Sequence, residues 1–252
     1  MWTNILPPEL LNTVHCMDCL EFMKWLPDGC IDMILCDLPY WTTACSWDIV
    51  IPFEPLRIQY KRLIKENWAI VLFWSQPFTT DLINSNRKWF RYDLIWYKER
   101  SCWSMLCNNR PLKYHEDICI FYKEQPTYNP QMTKGIKLKK ASWGKSDNYW
   151  EMPIIRNEND DYYPQSVVWF TACHNMTWKQ HPTEKPVDLC KRLINTYTNN
   201  WELVLDNCAW SWTTGVACKE LWRNYILIEK EPKYVDIIHK RLQNTTVSLF
   251  HS

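Results

Sequence analysis

The sequence predicts an α/β protein, a mostly parallel sheet flanked by helices and interrupted by a loop-rich insertion. Three observations predict it. The apolar run Ile31-Asp32-Met33-Ile34-Leu35-Cys36 closes on the tetrapeptide Asp37-Leu38-Pro39-Tyr40, as a buried strand does when its carboxyl edge carries a ligand loop. Far downstream, Leu203-Val204-Leu205 ends in Asp206, turns through residues 207–214, and enters a helix holding Val216, Ala217 and Leu221. The next strand, Tyr225-Ile226-Leu227-Ile228, again ends in an acid, Glu229. Strand, tight turn, helix, strand and acid is the Rossmann-like layout, in which the second acid bonds ribose hydroxyls.

The elements follow in order. Residues 13–36 read as a short strand with Asp18 near its end, a helix (Leu20, Met23, Trp25), then the buried strand. Asp18 suits a helix N-cap before Leu20-Glu21-Phe22. Residues 52–65 form an amphipathic helix with Leu56, Tyr60, Leu63 and Ile64 on one face. A strand over 69–73, a helix over 77–83, a strand over 92–97 and the run Ile118-Cys119-Ile120-Phe121-Tyr122 complete the first half. His115-Glu116 precedes that run, and an isolated histidine there reads as a bonded structural residue. Between about 123 and 178 periodicity fades. Lys134, Lys137, Lys139, Lys140 and Lys145 cluster there with Tyr128, Trp143, Tyr149 and Trp150. Contact with both phosphate and base requires that mixture, although a solvated loop face gives it too. The helix over 187–198 places Cys190, Leu193, Ile194 and Tyr197 at helical spacing, and Pro232 opens a last helix with Val235, Ile238 and Leu242 inward.

Composition bounds the function. The 252 residues can bury one substantial core with an insertion beside it. The net charge is +1, so attraction to nucleic acid must come from local patches. No stretch of 18 apolar residues occurs and the N-terminus lacks a signal-peptide pattern, which predicts a cytoplasmic protein with no membrane partner. The 12 cysteines read as reduced thiols, and Cys16 and Cys19 have no second pair at zinc spacing, so no metal is expected.

Glycine is scarce and tryptophan abundant. Average usage of about 7% would give roughly 18 glycines; the chain has 4, with 17 tryptophans. Trp201 follows Asn199-Asn200 and Trp68 follows Asn67, both Asn-Gly-like turn sites. Trp47, Trp89 and Trp96 stand among aromatic residues that suit an indole.

The chain resembles the S-adenosylmethionine-dependent amino-methyltransferases of DNA. Asp37-Leu38-Pro39-Tyr40 looks like their catalytic motif, and residues 206–214 look like their methionine-binding loop. His181-Pro182-Thr183-Glu184-Lys185-Pro186 matches the segment before that loop in the subgroup with permuted order. The resemblance covers about residues 12–243. It implies a catalytic half over 1–122, a target-recognition insertion over 123–178 and a cofactor half over 179–252. Trp41, Trp210, Trp212 and Trp222 fall where the family has glycine, as does Trp74. A source that reads UGA as glycine, translated with UGA as tryptophan, would give this pattern; a decayed gene is the other explanation.

What the resemblance implies is specific. Asp37 and the Pro39 carbonyl would accept hydrogen bonds from an exocyclic amino group, and Tyr40 would stack on a base flipped out of the duplex. S-adenosylmethionine would be held by Asp18 at the adenine ring, Glu229 at the ribose, and Asp206, Asn207, Ala209, Ser211, Thr213 and Thr214 at the methionine part. Lys185 would lie near the methionine carboxylate, with Asp37 bordering the cofactor. Lys134, Lys137, Lys139, Lys140 and Lys145 would meet DNA phosphates. The partner is double-stranded DNA, with a homodimer and a cognate restriction nuclease as further candidates. The leading aspartate favours adenine-N6 as target. Cytosine-N4 methylation, or an inactive DNA-binding remnant if the tryptophans are genuine, are the alternatives.

Overall fold

The computed structural model describes residues 6–39, 50–102, 106–135, 160–172, 184–211 and 213–246. Two compact units emerge: Met1–Asn129 with Ser166–Ser252, and Pro130–Gln165. The larger unit holds strands β1 (Thr13–Cys16), β2 (Ile31–Asp37), β3 (Ile64–Trp74), β4 (Phe90–Cys102) and β5 (Lys113–Phe121) in its first part. The smaller unit contributes β6 (Thr133–Lys134) and β7 (Asp161–Tyr162), paired antiparallel. Strands β8 (Val167–Trp169), β9 (Leu203–Asp206) and β10 (Asn224–Glu229) return to the larger unit. Its helices are α1 (Cys19–Met23), α2 (Phe53–Leu63), α3 (Phe78–Ser85), α4 (Val187–Tyr197), α5 (Thr213–Glu220) and α6 (Pro232–Asn244). No helix among the described residues is long and apolar enough to cross a membrane.

The eight-stranded sheet runs β1-β10-β9-β2-β3-β5-β4-β8. It is mostly parallel; only β5 runs against its neighbours β3 and β4. After β9 the chain moves towards β10, and after β2 it moves towards β3. The adjacent pair β2 and β9 is therefore the switch point, where open α/β sheets bind ligands beyond their carboxyl ends. Asp37 and Asp206 terminate those two strands, and Glu229 terminates β10.

Both faces of the sheet are covered, which explains why its strands read as unbroken apolar runs. Met33 and Leu35 of β2 pack with Leu193, Val216 and Ile238 of α4, α5 and α6. Ile34 and Cys36 face the other layer, with Phe22, Leu56, Leu63 and Leu82 of α1, α2 and α3. The polar exception, Asp32, is buried but accepts from the Leu203 amide at 2.8 Å and from the Lys65 ammonium at 2.5 Å. One carboxylate thus ties β9 and the start of β3 to β2.

Several expectations change. The strand predicted over 69–73 begins at Ile64, because α2 passes into it through an extended cap (φ −72°, ψ 135°) with no reversal. Asn67-Trp68 is consequently strand, not a turn. The first helix stops at Met23, short of Trp25, which was expected within it and is 72% exposed. Trp201 and Trp222 do sit in the left-handed region, at φ 70° and 58°. Their turns abut: the Trp201 amide donates to the Trp222 carbonyl at 2.7 Å, and the rings meet edge-on at 5.7 Å. That backbone favours glycine. Trp68, Trp74 and Trp210 have no positive φ, so any case for glycine there rests on space. Trp41 and Trp212 lie outside the described residues.

Candidate active site

The carboxyl ends of β2, β9 and β10 open onto a cleft of about 250 Å³. Asp18, Pro39, Asn207, Trp210, Glu229 and Tyr234 are among its walls. Asp18 caps α1, accepting from the amides of Leu20 at 2.9 Å and Glu21 at 3.2 Å. Glu229 is nearly buried; its carboxylate accepts from the Glu231 amide at 2.7 Å, and burial pushes it up to about 7. That carboxyl lines the cleft, where a pair of hydroxyls could bond it. Met17, Leu20, Ile51 and Ile228 provide apolar wall for a flat ring.

Behind the cleft the loop after β9 is bonded residue by residue. Asp206 accepts from the Cys208 amide at 3.1 Å, and burial pushes its carboxyl up to about 6. Asn207 Oδ1 accepts from the Tyr60 hydroxyl at 2.6 Å. Ala209 is fully buried, and Thr214 bonds the Asp206 carboxyl. Gly215 lets α5 lie close on the sheet, since a Cβ there would come within 2.6 Å of Leu227 Cδ1. The side chain of Ser211 is outside the described set.

Asp37 stands at the centre, 4% exposed. Its Oδ2 accepts from Lys185 Nζ at 2.6 Å, while its Oδ1 is buried with no partner among the described residues. Burial pushes its carboxyl up to about 7; Lys185 opposes that rise, while Glu116 and Asp206 add to it. Lys185 lies 3.4 Å from Glu116 Oε2, and Glu116 is ion-paired to Lys98. Burial disfavours the Glu116 carboxylate, but Lys185 and Lys98 beside it prevail and hold it below its ordinary value. Thr213 Oγ1 donates to the Lys185 carbonyl at 3.1 Å, anchoring the lysine to the start of α5.

The site residues expected from sequence therefore fall into groups. Asp18, Asn207 and Glu229 line the cleft with Pro39. Asp37, Lys185, Asp206, Thr213 and Thr214 form the buried layer beside it. Lys185, expected near a cofactor carboxylate, bonds Asp37. Lys134, in the smaller unit, pairs with Asp160 at 3.0 Å and Asp161 at 2.6 Å. Tyr40, Lys137, Lys139, Lys140 and Lys145 lie outside the described residues. Sequence reading passed over Glu116 and Lys98; the available signal was a charged residue on each of two neighbouring strands just beyond apolar runs.

The cleft's acids and apolar walls fit the adenosine part of S-adenosylmethionine. Trp210 fits less well: its indole is buried in the same cleft wall and donates from Nε1 to the Asp37 carbonyl at 2.9 Å. It takes volume beside Pro39 that a glycine would leave open.

A DNA methylase family model matches residues 31–240. The Type II methyltransferase M.HinfI of Haemophilus influenzae is 25% identical, over 93% of this chain and 69% of that protein. The solved complex of M1.HpyAVI with SAM aligns with a TM-score of 0.62 at 22% identity, covering 91% of this chain and 98% of that one. The cytosine-N4-specific PvuII DNA methyltransferase aligns with a TM-score of 0.67 at 14% identity, over 94% and 88%. Likeness at these identities establishes a shared fold.

Proposed function

The chain belongs to the DNA methylase family, the amino-methyltransferases that use S-adenosylmethionine, and from that premise we propose that it methylates the N6 nitrogen of adenine at a specific site in duplex DNA. The observation that carries this is Asp37 Oδ1, buried at the switch point beside Pro39 and without a partner among the described residues. A buried polar atom without a partner costs roughly 1–3 kcal/mol, and an incoming N–H removes that cost.

The amino nitrogen of adenine is a poor nucleophile because its lone pair is delocalised into the ring. Asp37 Oδ1 accepts one amino hydrogen and the Pro39 carbonyl the other, which turns the nitrogen towards tetrahedral geometry and frees the lone pair. S-adenosylmethionine supplies an electrophilic sulfonium methyl group for a direct transfer. The chain contributes position and electrostatics. As the methyl arrives, positive charge grows on the nitrogen, and the Asp37 carboxylate stabilises it. With its carboxyl pushed up to about 7, Asp37 is also placed to take the proton that the nitrogen sheds.

Glu229 would hold the ribose hydroxyls and Asp18 the adenine end of the cofactor. Residues 123–178 read the target, with Lys137, Lys139, Lys140 and Lys145 on phosphates. The aspartate at the head of the motif supports adenine over cytosine. A second reading, an inactive DNA-binding remnant, is favoured by the Trp210 indole in the cleft wall.

The test incubates the protein with duplex DNA and labelled S-adenosylmethionine and separates the nucleosides by mass spectrometry. N6-methyladenine supports the proposal, N4-methylcytosine corrects its target, and DNA binding without any methylated base establishes the remnant.

A further inference from the structure

We propose that Glu116 is a positioning residue for methyl transfer: it holds Lys185 between two carboxylates so that Asp37 keeps one oxygen open for the target amino group. The proposal rests on the amino-methyltransferase reading above. Asp37 pairs in register with Phe73 of β3, and β5, which carries Glu116, is the next strand. Two strand spacings, about 10 Å, separate the backbones that carry the two carboxylates, whose side chains reach towards each other across β3. Lys185 spans the gap, its ammonium 5.4 Å from the centroid of the Phe73 ring on the intervening strand. It bonds Asp37 Oδ2 at 2.6 Å and lies 3.4 Å from Glu116 Oε2. Lys98 approaches Glu116 from β4.

The four groups carry two negative and two positive charges, so they balance inside a layer where each is less than a tenth exposed. An unbalanced charge there would be expensive. An ammonium has three donors. Without Glu116, Lys185 would be drawn more strongly to Asp37 and could claim Oδ1 as well as Oδ2, competing with the amino group for the same oxygen. Glu116 prevents that by pulling from the far side, and Lys98 holds Glu116 in place. The other titratable groups facing Asp37 are Asp206 on β9 and the thiols of Cys36 on β2 and Cys190 on α4.

Three measurements on E116Q and E116D test this. In E116Q, kcat for duplex DNA should fall by up to about 10²-fold, the cost of misplacing a reacting group. Its S-adenosylmethionine affinity, by calorimetry, should match the parent. The Asp37 carboxyl, followed by ¹³C NMR, should titrate at lower pH, because the negative charge that lifts it has gone. E116D should restore the parental midpoint and part of kcat. Loss of kcat with an unmoved Asp37 midpoint would mean that Glu116 serves only the fold, and parental kcat would also overturn the role. If the parent methylates neither base, the reaction reading itself fails. An unmoved midpoint with an active parent sinks only the Glu116 proposal.

Discussion

Trp210 Nε1 donates a hydrogen bond to the backbone carbonyl of Asp37 at 2.9 Å, joining the loop after β9 to the catalytic strand β2. The bond gives the buried indole an acceptor and keeps the ring in the cleft beside Pro39. Trp210→Gly should therefore open the cleft, and S-adenosylmethionine affinity should rise by at least about tenfold, or 1.4 kcal/mol. Titration calorimetry on both chains checks this. Equal, tight binding by the two would show that the indole does not compete with the cofactor.

Trp201→Gly and Trp222→Gly should each stabilise the fold, since each removes a left-handed conformation that costs a non-glycine residue about 1–2 kcal/mol. Denaturant melts measure the gain. Trp68→Gly should do the opposite by roughly 0.5–1 kcal/mol, because Trp68 lies within β3. The gene's codons at 201 and 222 are expected to be UGA and those at 89 and 96 UGG; UGG throughout would eliminate recoding.

Asp37→Ala should abolish methyl transfer and leave cofactor affinity within a few-fold of the parent. The carboxylate is assigned to the target nitrogen, so DNA methylation and calorimetric binding should separate. A variant that methylates DNA at the parental rate removes Asp37 from the mechanism.

Lys185→Met should be severely destabilising, by about 3–5 kcal/mol, because it strands the buried Asp37 carboxylate and leaves Glu116 with Lys98. The loss is read from urea melts at pH 7.5. It should shrink at pH 5, where Asp37 can take a proton and become neutral. A loss that does not change with pH would mean packing, not charge, is what Lys185 supplies.

Asp37, Asp206 and Glu229 all have their carboxyls raised by burial, to about 7, 6 and 7. Each binds its proton more tightly when folded, so its contribution to stability is full below the unfolded value near 4. That contribution is lost as pH rises through 6 and 7. The apo protein's Tm should fall across that window, and the triple variant with Asn, Asn and Gln should lose most of the slope. A Tm rising steadily from pH 5 to 7.5 would contradict these shifts.

The sequence by itself determined the strands of the switch point and the acids that end them. Apart from Asp32, Ile31 to Cys36, Leu203 to Leu205 and Tyr225 to Ile228 are apolar throughout, as two covered sheet faces demand, and that requirement is local. The N-cap role of Asp18 was legible for the same reason, because its partners are two and three residues away. Tertiary structure alone decided where α2 yields to β3, since a helix and a buried strand both accept Ile64. It alone placed Lys185 on Asp37, 148 positions apart in the chain, and set Glu116 and Lys98 behind them. Such contacts depend on which strands become neighbours, and on the need of each buried charge for a partner, neither of which a single segment of chain encodes.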